Sequence, residues 1–491
     1  MKLEEIIKGI RTNHVAGPLD REIEALTYDS RRVGPNTLFI ALKGEKVDGA
    51  QFVPKAVAAG ATAVISETEA EAGTATKILV SNSRDALADL AANFYRHPSS
   101  QLKVAAVTGT NGKTTTTFLI KQICDHNLWR CGLIGTVQYQ VGDKIIPAAR
   151  TTPESLDVHE LLWMMVSDGC KAAAMEVSSH ALCQARVRGV EFDTAVFTNL
   201  TQDHLDYHKT MEAYFQAKAE LFKNLPAQNK KAKAVINSDD RYGQRLVSLL
   251  GNSVPVVTYG QGARADFRAS NLRTDFHGTS YQLDANGKSY LVRLPLIGAF
   301  NVYNSLAAIA AAWTMNIGVR QSLLALADAP PVPGRLQPVP GQRAFRVFVD
   351  YAHTDDALLN VIGTLRDLKP ARLLVVFGCG GNRDRGKRPR MGAVVDAHAD
   401  WAVVTSDNPR KENPEAIIDD ILPGMPRKNY EVIVDRKTAI QHAIDLARDR
   451  DIVLIAGKGH ETYQEFADET IPFDDAAIAA SAIADKRGTA R

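Results

Sequence analysis

The sequence predicts an α/β fold made of three domains, and three observations support that prediction. Its 491 residues are enough for about three domains with separate hydrophobic cores. Short β-rich runs alternate with helical segments from Lys103 onward, which is the pattern of parallel sheets. A proline cluster, Pro330-Pro-Val-Pro333-Gly334, interrupts the alternation and predicts a linker. We therefore expect a small α/β domain over residues 1–95, a central parallel-sheet domain over residues 96–335 and a C-terminal Rossmann-like domain over residues 336–491.

Short hydrophobic runs predict the strands of each domain in turn. The first domain should contain strands at residues 37–42 and 61–65, with a short helix at residues 53–59 between them. The expected strands of the other two domains are residues 104–108, 172–177, 195–198, 234–236, 345–349, 372–377, 402–405 and 452–456. An alanine-rich segment near residues 474–485 predicts a closing helix.

A phosphate-binding loop is predicted where the strand at residues 104–108 runs into Gly109-Thr-Asn-Gly-Lys113-Thr114 and a helical pattern follows. Glycines let backbone N–H groups face a polyphosphate, and the helix N-terminus adds its positive end. Lys113 would reach the terminal phosphates, and the Thr114 hydroxyl would ligate Mg²⁺. Position 107 is Val, so the loop is shorter than the usual G-x-x-x-x-G-K-S/T form. Such a short P-loop is typical of ATPase-like ligases that phosphorylate a carboxylate; a structural glycine turn that happens to hold a lysine is the alternative.

Charge and composition bear on the partners of the chain. A formal net charge of +2 gives no global field for nucleic acid or a membrane surface. The first eight residues form a charged amphipathic pattern rather than a signal peptide, and no apolar run approaches the roughly 20 residues that span a bilayer. Five scattered cysteines favour free thiols in a reducing compartment. We expect a cytoplasmic monomer that acts on small molecules, with no nucleic acid partner and no membrane insertion.

Nearly every expected strand of the second and third domains ends in a polar or glycine-rich cluster. The clusters are TGTNGKT, EVSSH, FTNLTQDHLDYH, NSDD, FGCGGNRDRG, TSDNPR and AGKGHE. Open parallel sheets bind ligands outside the carboxyl ends of their strands. Clusters on two sheets imply two binding edges that face each other, and we expect an active site between them.

Two of the polar clusters and one helical segment contain candidate catalytic groups. Glu176 ends a strand in the same sheet as the phosphate loop, where a carboxylate can meet the Mg²⁺ of a nucleotide; a helix cap is the alternative. Residues 197–208 hold carboxylates and imidazoles suited to metal or phosphate chemistry, although a structural histidine pair is also consistent with the pattern. His204 is a candidate base. Lys218 falls close to the apolar side of the helix that carries Tyr214, although a solvated lysine would be the usual expectation.

Together these motifs resemble those of the Mur ligases of peptidoglycan synthesis. GTNGKTT, EVSSH, FTNLTQDHLDYH, YFQAKAELF, LPLIGAFNVYN, PGR, DYAH and FGCGGNRDRGKRP occur in the order found in that family and extend over essentially the whole chain. Asp407-Asn408-Pro409-Arg410 resembles the version in members that add meso-diaminopimelate rather than lysine. The resemblance implies a UDP-sugar-binding first domain, an ATP-binding central domain and an amino-acid-binding third domain.

The resemblance also implies roles for individual residues. ATP would be held by Gly109, Thr110, Asn111, Gly112, Lys113, Thr114, Thr115, Asn301, Arg335 and Asp350, and Mg²⁺ by Thr114, Glu176 and Lys218, the last as a carbamate. UDP-N-acetylmuramoyl-L-alanyl-D-glutamate (UDP-MurNAc-L-Ala-D-Glu) would contact Tyr28, Ser30, Glu45, Lys46, Val47, Thr151, Thr152, Ser178, Gln184 and Arg186. Diaminopimelate would contact Arg383, Asp407, Asn408, Pro409, Arg410, Gly457 and Glu461. A carbamate suits a metal site, because Mg²⁺ repels an ammonium and binds an anionic oxygen.

The implied reaction is ATP-dependent amide formation through an acyl phosphate, with Lys113, Glu176, His204 and Lys218 as the catalytic residues. A lysine-adding Mur ligase and a folylpolyglutamate synthase-like ligase are alternatives with the same chemistry. A P-loop motor or switch ATPase, which makes no amide bond, is the alternative from another class. A dinucleotide-binding dehydrogenase has less support, because the glycines of residues 378–381 do not have the G-x-G-x-x-G spacing.

Overall fold

The structure is a computed structural model that describes residues 1–44, 47–341 and 344–488. Within those residues the strands form three helix-flanked sheets, one after another along the chain, and a separate two-stranded hairpin. This arrangement confirms the predicted α/β fold class. No helix in the described part of the chain is long and apolar enough to cross a membrane.

The N-terminal sheet is mostly parallel. Its strands are β1 (Thr12–Ala16), β2 (Ala25–Thr27), β3 (Thr37–Ile40), β4 (Ala61–Ser66) and β5 (Thr76–Val80), and its helices are α1 (Leu3–Ile6), α2 (Val53–Ala58) and α3 (Ser83–Phe94). The described strands lie in the order β1-β5-β4-β3-β2, with β1 antiparallel to β5. The strands predicted at residues 37–42 and 61–65 and the helix predicted at residues 53–59 are confirmed as β3, β4 and α2.

The central sheet carries the phosphate loop on an inner strand. Its strands are β6 (Lys103–Thr108), β7 (Cys131–Ile134), β8 (Gln138–Val141), β9 (Lys144–Pro147), β10 (Ala172–Glu176), β11 (Thr194–Phe197), β12 (Lys233–Asn237), β13 (Val256–Gly260), β14 (Phe267–Asp275), β15 (Gly278–Ala285) and β16 (Lys288–Leu294). Its helices are α4 (Lys113–His126), α5 (Ser155–Ser167), α6 (Ser179–Cys183), α7 (Leu205–His208), α8 (Met211–Lys223), α9 (Arg241–Leu250), α10 (Ala299–Thr314) and α11 (Val319–Ala327). β6 lies between β10 and β11 and is parallel to both, so the carboxyl ends of these three strands meet at one edge.

The C-terminal sheet is also mainly parallel. Its strands are β17 (Gln337–Pro338), β18 (Arg346–Asp350), β19 (Leu373–Phe377), β20 (Trp401–Val404), β21 (Tyr430–Val432) and β22 (Ile452–Ala456), followed by the hairpin of β23 (Tyr463–Glu465) and β24 (Thr470–Pro472). Its helices are α12 (Asp355–Asp367), α13 (Lys387–His398), α14 (Pro414–Ile421), α15 (Arg436–Leu446) and α16 (Asp475–Gly488). The predicted strands of this domain are confirmed within one residue at each end, and the predicted closing helix is α16.

Two helices of the central domain fix the position of the phosphate loop. α10 is rich in alanine, and its buried small side chains pack in the same core as Leu119, Ile120 and Ile123 of α4. Tyr214 and Phe222 of α8 are buried on the other face of the sheet. Burying a large apolar side chain stabilises a fold by about 1.5–3 kcal/mol, so these contacts hold α4 and α8 firmly against β6.

A buried ion pair joins α15 to α16 in the C-terminal domain. The guanidinium of Arg436 donates to the two carboxylate oxygens of Asp475 at 2.9 and 2.7 Å, and both side chains are fully buried. Arg436→Met should lower the free energy of unfolding by about 3–5 kcal/mol in urea denaturation, because it leaves the Asp475 carboxylate buried and unpaired. The double variant Arg436→Met/Asp475→Leu should recover most of this loss. A loss below about 1 kcal/mol in the single variant contradicts the structural importance of this pair.

Candidate active site

The phosphate loop has the backbone geometry that the sequence predicts. Gly109 and Gly112 have φ angles of +145° and +85°, and a Cβ atom at either position would clash with Thr198 Oγ1 or Asn304 Oδ1. The loop leads directly into α4, whose first residue is Lys113. The positive end of α4 therefore points at the loop, as a polyphosphate site requires.

The residues that follow β11 hold the phosphate loop in place through hydrogen bonds. The backbone carbonyl of Asn199 accepts a hydrogen bond from the backbone N–H of Thr110 at 2.9 Å. Its side-chain oxygen accepts one from the backbone N–H of Asn111 at 3.0 Å. Thr198 Oγ1 donates to the carbonyl of Asn111 at 2.6 Å. Asn199 lies in the cluster of residues 197–208 that was predicted to suit metal or phosphate chemistry, whereas no individual role was predicted for Thr198.

Two cations converge on the loop from different elements. Lys113 Nζ donates to the carbonyls of Gly109 and Thr110 at 3.0 and 2.8 Å. Arg335, which follows the proline-rich linker, donates from Nη2 to Thr114 Oγ1 at 3.0 Å. The structure thus brings together three residues, Lys113, Thr114 and Arg335, that the resemblance assigned to nucleotide binding.

Two further residues predicted to bind the nucleotide are buried and hydrogen-bonded. Asn301, at the start of α10, donates to the carbonyl of Ile297 at 2.9 Å. The Asp350 carboxylate accepts backbone N–H groups of Leu336 at 2.6 Å and Ala352 at 2.8 Å, and burial raises its pKa. Asp350 therefore orders the turn that directly follows Arg335.

The carboxylate of Glu176 lies at the predicted strand end, and Thr136 donates a hydrogen bond to each of its two oxygens. Its Oε1 accepts the backbone N–H of Thr136 at 2.8 Å, and its Oε2 accepts the Thr136 hydroxyl at 3.0 Å. The same hydroxyl lies 3.0 Å from Thr151 Oγ1. Thr136 went unnoticed in the sequence, because β7 has only four residues, one of them glycine, and gives a weak strand pattern.

Lys218 is buried under the phosphate loop, as the helix pattern of its segment predicts. Its side chain is 1% exposed, and Nζ donates to the carbonyl of Gly109 at 2.8 Å and lies 4.7 Å from the centroid of the Tyr214 ring. Burial lowers the pKa of Lys218 well below its usual value, and the Lys113 ammonium acts in the same direction. A lysine in this position is a neutral amine much more readily than a solvated one.

Histidines pack around the approach to Lys218. The ring of His180 lies 5.0 Å from that of His204, and His208 stacks on Tyr214 at 5.0 Å. His208 Nε2 is 2.8 Å from Ser179 Oγ. Burial lowers the pKa of His204 to about 4, so its imidazole is neutral at pH 7 and a weak proton acceptor.

The residues expected to hold the muramoyl dipeptide meet beside Glu176. Thr152 Oγ1 donates to the carbonyl of Glu176 at 2.8 Å and accepts the backbone N–H of Ser178 at 3.1 Å. Arg186 donates to the carbonyl of Thr152 at 2.9 Å and to Gln184 Oε1 at 2.7 Å. Four predicted substrate residues therefore form one hydrogen-bonded group at the end of β10.

Glu154, which sequence reasoning passed over, ties this group to the N-terminal domain. Its carboxylate lies 3.1 Å from Arg84 of α3, 2.6 Å from Arg150 and 3.3 Å from Arg186. Three guanidinium groups around one carboxylate leave this edge positively charged, which suits an anionic substrate.

The residues predicted to bind uridine lie in the N-terminal domain. Tyr28 donates to Asp157 of α5 at 2.7 Å beside a cavity of about 270 Å³, and burial raises the pKa of its phenol. Ser30 begins a short 3₁₀ turn, and Val47 is 49% exposed. Glu45 and Lys46 lie outside the described residues.

The predicted diaminopimelate pocket lies at the ends of β20 and β22. Asn408 Nδ2 donates to Glu461 Oε2 at 2.8 Å. Arg410, which has a φ of +53°, donates to Glu465 Oε2 at 2.8 Å and to the carbonyl of Gly381 at 2.9 Å. Glu465 was not foreseen, because it follows the AGKGHE cluster on the hairpin strand β23.

The other residues predicted for the diaminopimelate pocket lie near Asn408 and Arg410. Asp407 Oδ1 accepts the backbone N–H of Asn408 at 2.6 Å, and Gly457 donates from its backbone to the carbonyl of Asp350 at 3.1 Å. The carbonyl of Pro409 accepts a backbone N–H, and Arg383 is exposed on the loop after β19. The pocket therefore adjoins the nucleotide side of the site through Asp350.

The central and C-terminal domains meet at the phosphate loop. Asp356 of α12 accepts hydrogen bonds from Asn111 Nδ2 at 3.3 Å and from Thr201 Oγ1 at 3.2 Å. The two binding edges face each other across this contact, which is the arrangement expected from the strand-end clusters.

The side chains at the loop fit Mg²⁺ only together with other oxygen donors. The Thr114 hydroxyl and the Glu176 carboxylate are hard oxygen ligands of the kind that Mg²⁺ prefers. Among the residues that the structure describes, no group of three or more His, Cys, Asp or Glu side chains is placed to hold a metal ion. A metal here would therefore need further oxygen donors, such as the phosphate oxygens of a bound nucleotide.

A short phosphate loop at the meeting edges of two α/β domains is the arrangement expected of ATP-dependent ligases that activate carboxylates. Family models match the chain at residues 22–95 (Mur ligase family, catalytic domain), 107–312 (Mur ligase middle domain) and 334–459 (Mur ligase, glutamate ligase domain). The chain belongs to the Mur ligase family.

Several curated relatives are similar to the chain over its full length. UDP-N-acetylmuramoyl-L-alanyl-D-glutamate–2,6-diaminopimelate ligase of Syntrophomonas wolfei is 46% identical over 99% of this chain and 100% of its own, and that of Geobacillus kaustophilus is 45% identical over 98% of each. A solved structure of a ligase with the same name has 35% identity and a TM-score of 0.71 over 99% of both chains. Folylpolyglutamate synthase of Mycobacterium tuberculosis shares the fold, with 18% identity and a TM-score of 0.64 over 83% of this chain and 94% of its own.

Proposed function

We propose that the protein is the ATP-dependent ligase that joins meso-2,6-diaminopimelate to UDP-MurNAc-L-Ala-D-Glu in peptidoglycan precursor synthesis. The observation that carries this proposal is that Asn408 and Arg410 follow β20 and contact the carboxylates of Glu461 and Glu465. They belong to the domain whose helix α12 contacts the phosphate loop through Asp356. Relatives at 42–46% identity carry this activity in their names. A folylpolyglutamate synthase-like ligase has only the shared fold in its favour.

The reaction proceeds in two steps. The γ-carboxylate of D-glutamate attacks the γ-phosphate of ATP, which gives an acyl phosphate and ADP. The amine of diaminopimelate then attacks the acyl carbon, and phosphate leaves. Lys113 offsets the charge of the approaching anions, while Thr152, Ser178 and Arg186 position the dipeptide. His204 stays a candidate base.

Mg²⁺ would supply charge neutralisation at the phosphates, and Thr114, Glu176 and carbamylated Lys218 would hold it. The lowered pKa of Lys218 supports the carbamate, because only a neutral amine adds to CO₂. Thr136 would orient the Glu176 carboxylate for this role. ATP and Mg²⁺ are therefore the proposed cofactors.

The organisation of the protein follows from this function. We place a UDP-sugar domain at residues 1–95, an ATP domain at residues 96–335 and an amino-acid domain at residues 336–491. We expect a monomer, since the residues assigned to all three substrates come from one chain. We expect it in the cytoplasm, where ATP is available. Size-exclusion chromatography with light scattering tests the monomer.

ADP release with systematic omission of substrates tests the reaction. A ligase should release ADP only when ATP, UDP-MurNAc-L-Ala-D-Glu and diaminopimelate are all present, apart from a slow background. Steady ADP release from ATP alone is the behaviour of a motor or switch ATPase and contradicts the proposal. Turnover with a folate and glutamate contradicts it as well.

Arg410→Ala should raise the KM for diaminopimelate by about 10–10²-fold and leave the KM for ATP nearly unchanged. Diaminopimelate carries a distal carboxylate that a guanidinium binds through two parallel hydrogen bonds. Steady-state kinetics with each substrate varied in turn measures this effect. Arg427→Ala is a matched control, because Arg427 lies in the same domain and donates to main-chain carbonyls of α13. An unchanged KM for diaminopimelate in Arg410→Ala contradicts the assigned role.

A further inference from the structure

Lys458 is a fully buried lysine in the amino-acid domain, with 0% of its surface exposed. Its Nζ donates to Asn408 Oδ1 at 2.9 Å and to Glu461 Oε2 at 3.0 Å. A lysine is rarely buried to this extent unless it is paired. Both of its partners are residues that the proposed function assigns to diaminopimelate, whereas Lys458 has no role in that assignment.

The contacts of Lys458 fix the orientation of Asn408. The side-chain oxygen of Asn408 accepts from Lys458 and also from the backbone N–H of Glu465 at 3.0 Å. Its amide nitrogen therefore points to Glu461, to which it donates at 2.8 Å. Without the ammonium, the Asn408 amide would lose one of the two donors that set this orientation.

The hydrogen-bonded network around Lys458 also brings groups of opposite charge together. The Lys458 ammonium pairs with Glu461, and the Arg410 guanidinium pairs with Glu465 at 2.8 Å. Asn408 connects the two ion pairs, and each pair is neutral in itself. The distal end of diaminopimelate is a zwitterion of zero net charge, whereas the end of lysine carries one positive charge. A balanced network favours the zwitterion over the cation.

We propose that Lys458 is a positioning and specificity-determining residue, which orients Asn408 and Glu461 and supplies the positive charge that disfavours an amino acid with a cationic end. This inference rests on the proposed function. Removing the ammonium leaves the Glu461 carboxylate without its ion-pair partner, and this additional negative charge attracts the side-chain ammonium of lysine. The preference for diaminopimelate should then weaken selectively rather than together with all activity.

The test compares kcat/KM for meso-diaminopimelate and L-lysine in the full-length wild type, Lys458→Met, Lys458→Gln and Lys458→Arg. The ratio of the two values should fall by about 10-fold or more in the Met and Gln variants, and the Arg variant, which keeps the charge, should stay near the wild type. Lys230→Met is the matched control, since it removes another mostly buried lysine, paired with Asp193 in the central domain. The KM for ATP should not change in any of them.

A merely structural role for Lys458 would lower both kcat/KM values equally, and an unchanged ratio in Lys458→Met and Lys458→Gln overturns the inference. If Lys458→Met does not fold, Lys458→Gln decides, because its amide can still donate to Asn408 and Glu461. Wild-type protein that prefers lysine overturns the proposed function and this inference together. Wild-type preference for diaminopimelate with an unaltered ratio in the variants overturns this inference alone.

Discussion

Lys113→Ala is expected to lower ligase turnover by about 10²–10³-fold while the protein stays folded. The ammonium of Lys113 lies against the phosphate loop, 2.8 Å from the carbonyl of Thr110, where a nucleotide phosphate and the substrate carboxylate must approach each other. Without this cation the repulsion between the two anions is no longer offset in the transition state. Single-turnover ADP formation measures the effect on the first chemical step.

Lys121→Ala is the matched control for Lys113→Ala. Lys121 lies on the same helix, two turns further on, and pairs with Asp125 at 2.6 Å. It should keep near-normal turnover. A Lys113→Ala protein that retains a tenth or more of wild-type activity contradicts the role of the loop.

Lys218→Ala should reduce turnover by about 10³-fold, and Lys218→Glu should recover part of that loss. The alanine variant removes the group that would carry a carbamate, whereas glutamate restores a carboxylate near the metal. Lys223→Ala, on the exposed side of the same helix, should have little effect. Turnover at saturating substrates measures these differences.

Electron density at Lys218 Nζ in a substrate-bound crystal tests the carbamate itself. Intact mass is a poorer measurement, because a carbamate is labile. Additional density for three atoms on Nζ is expected. An unmodified Lys218 in the presence of nucleotide and Mg²⁺ contradicts the carbamate.

The sequence predicted the strands that carry the site because their signals are local. A hydrophobic run that ends in TGTNGKT or in EVSSH specifies both a strand and the polar group at its carboxyl end. The burial of Lys218 was also readable, since its helical position falls beside Tyr214. Each of these inferences depends on residues within a few positions of one another.

Contacts between distant segments were not readable from the sequence. Asp356 meets Asn111 across 245 positions, and nothing near Asp356 in the sequence marks it as a partner of the phosphate loop. Lys458 lies within AGKGHE, but its pairing with Asn408 depends on β19, which pairs with β22 on one side and with β20 on the other. Thr136 follows β7, which is too short to give a recognisable strand pattern in the sequence. Tertiary packing, rather than local pattern, supplies these partners.

The identity of the product decides whether the protein is a diaminopimelate-adding ligase. Wild-type protein is incubated with ATP, Mg²⁺, UDP-MurNAc-L-Ala-D-Glu and equal concentrations of meso-diaminopimelate and L-lysine, and the nucleotide products are identified by mass spectrometry. The predicted result is a diaminopimelate adduct formed together with ADP in equal amounts. A predominant lysine adduct, or ADP formed without any adduct, would contradict the proposed diaminopimelate ligase activity.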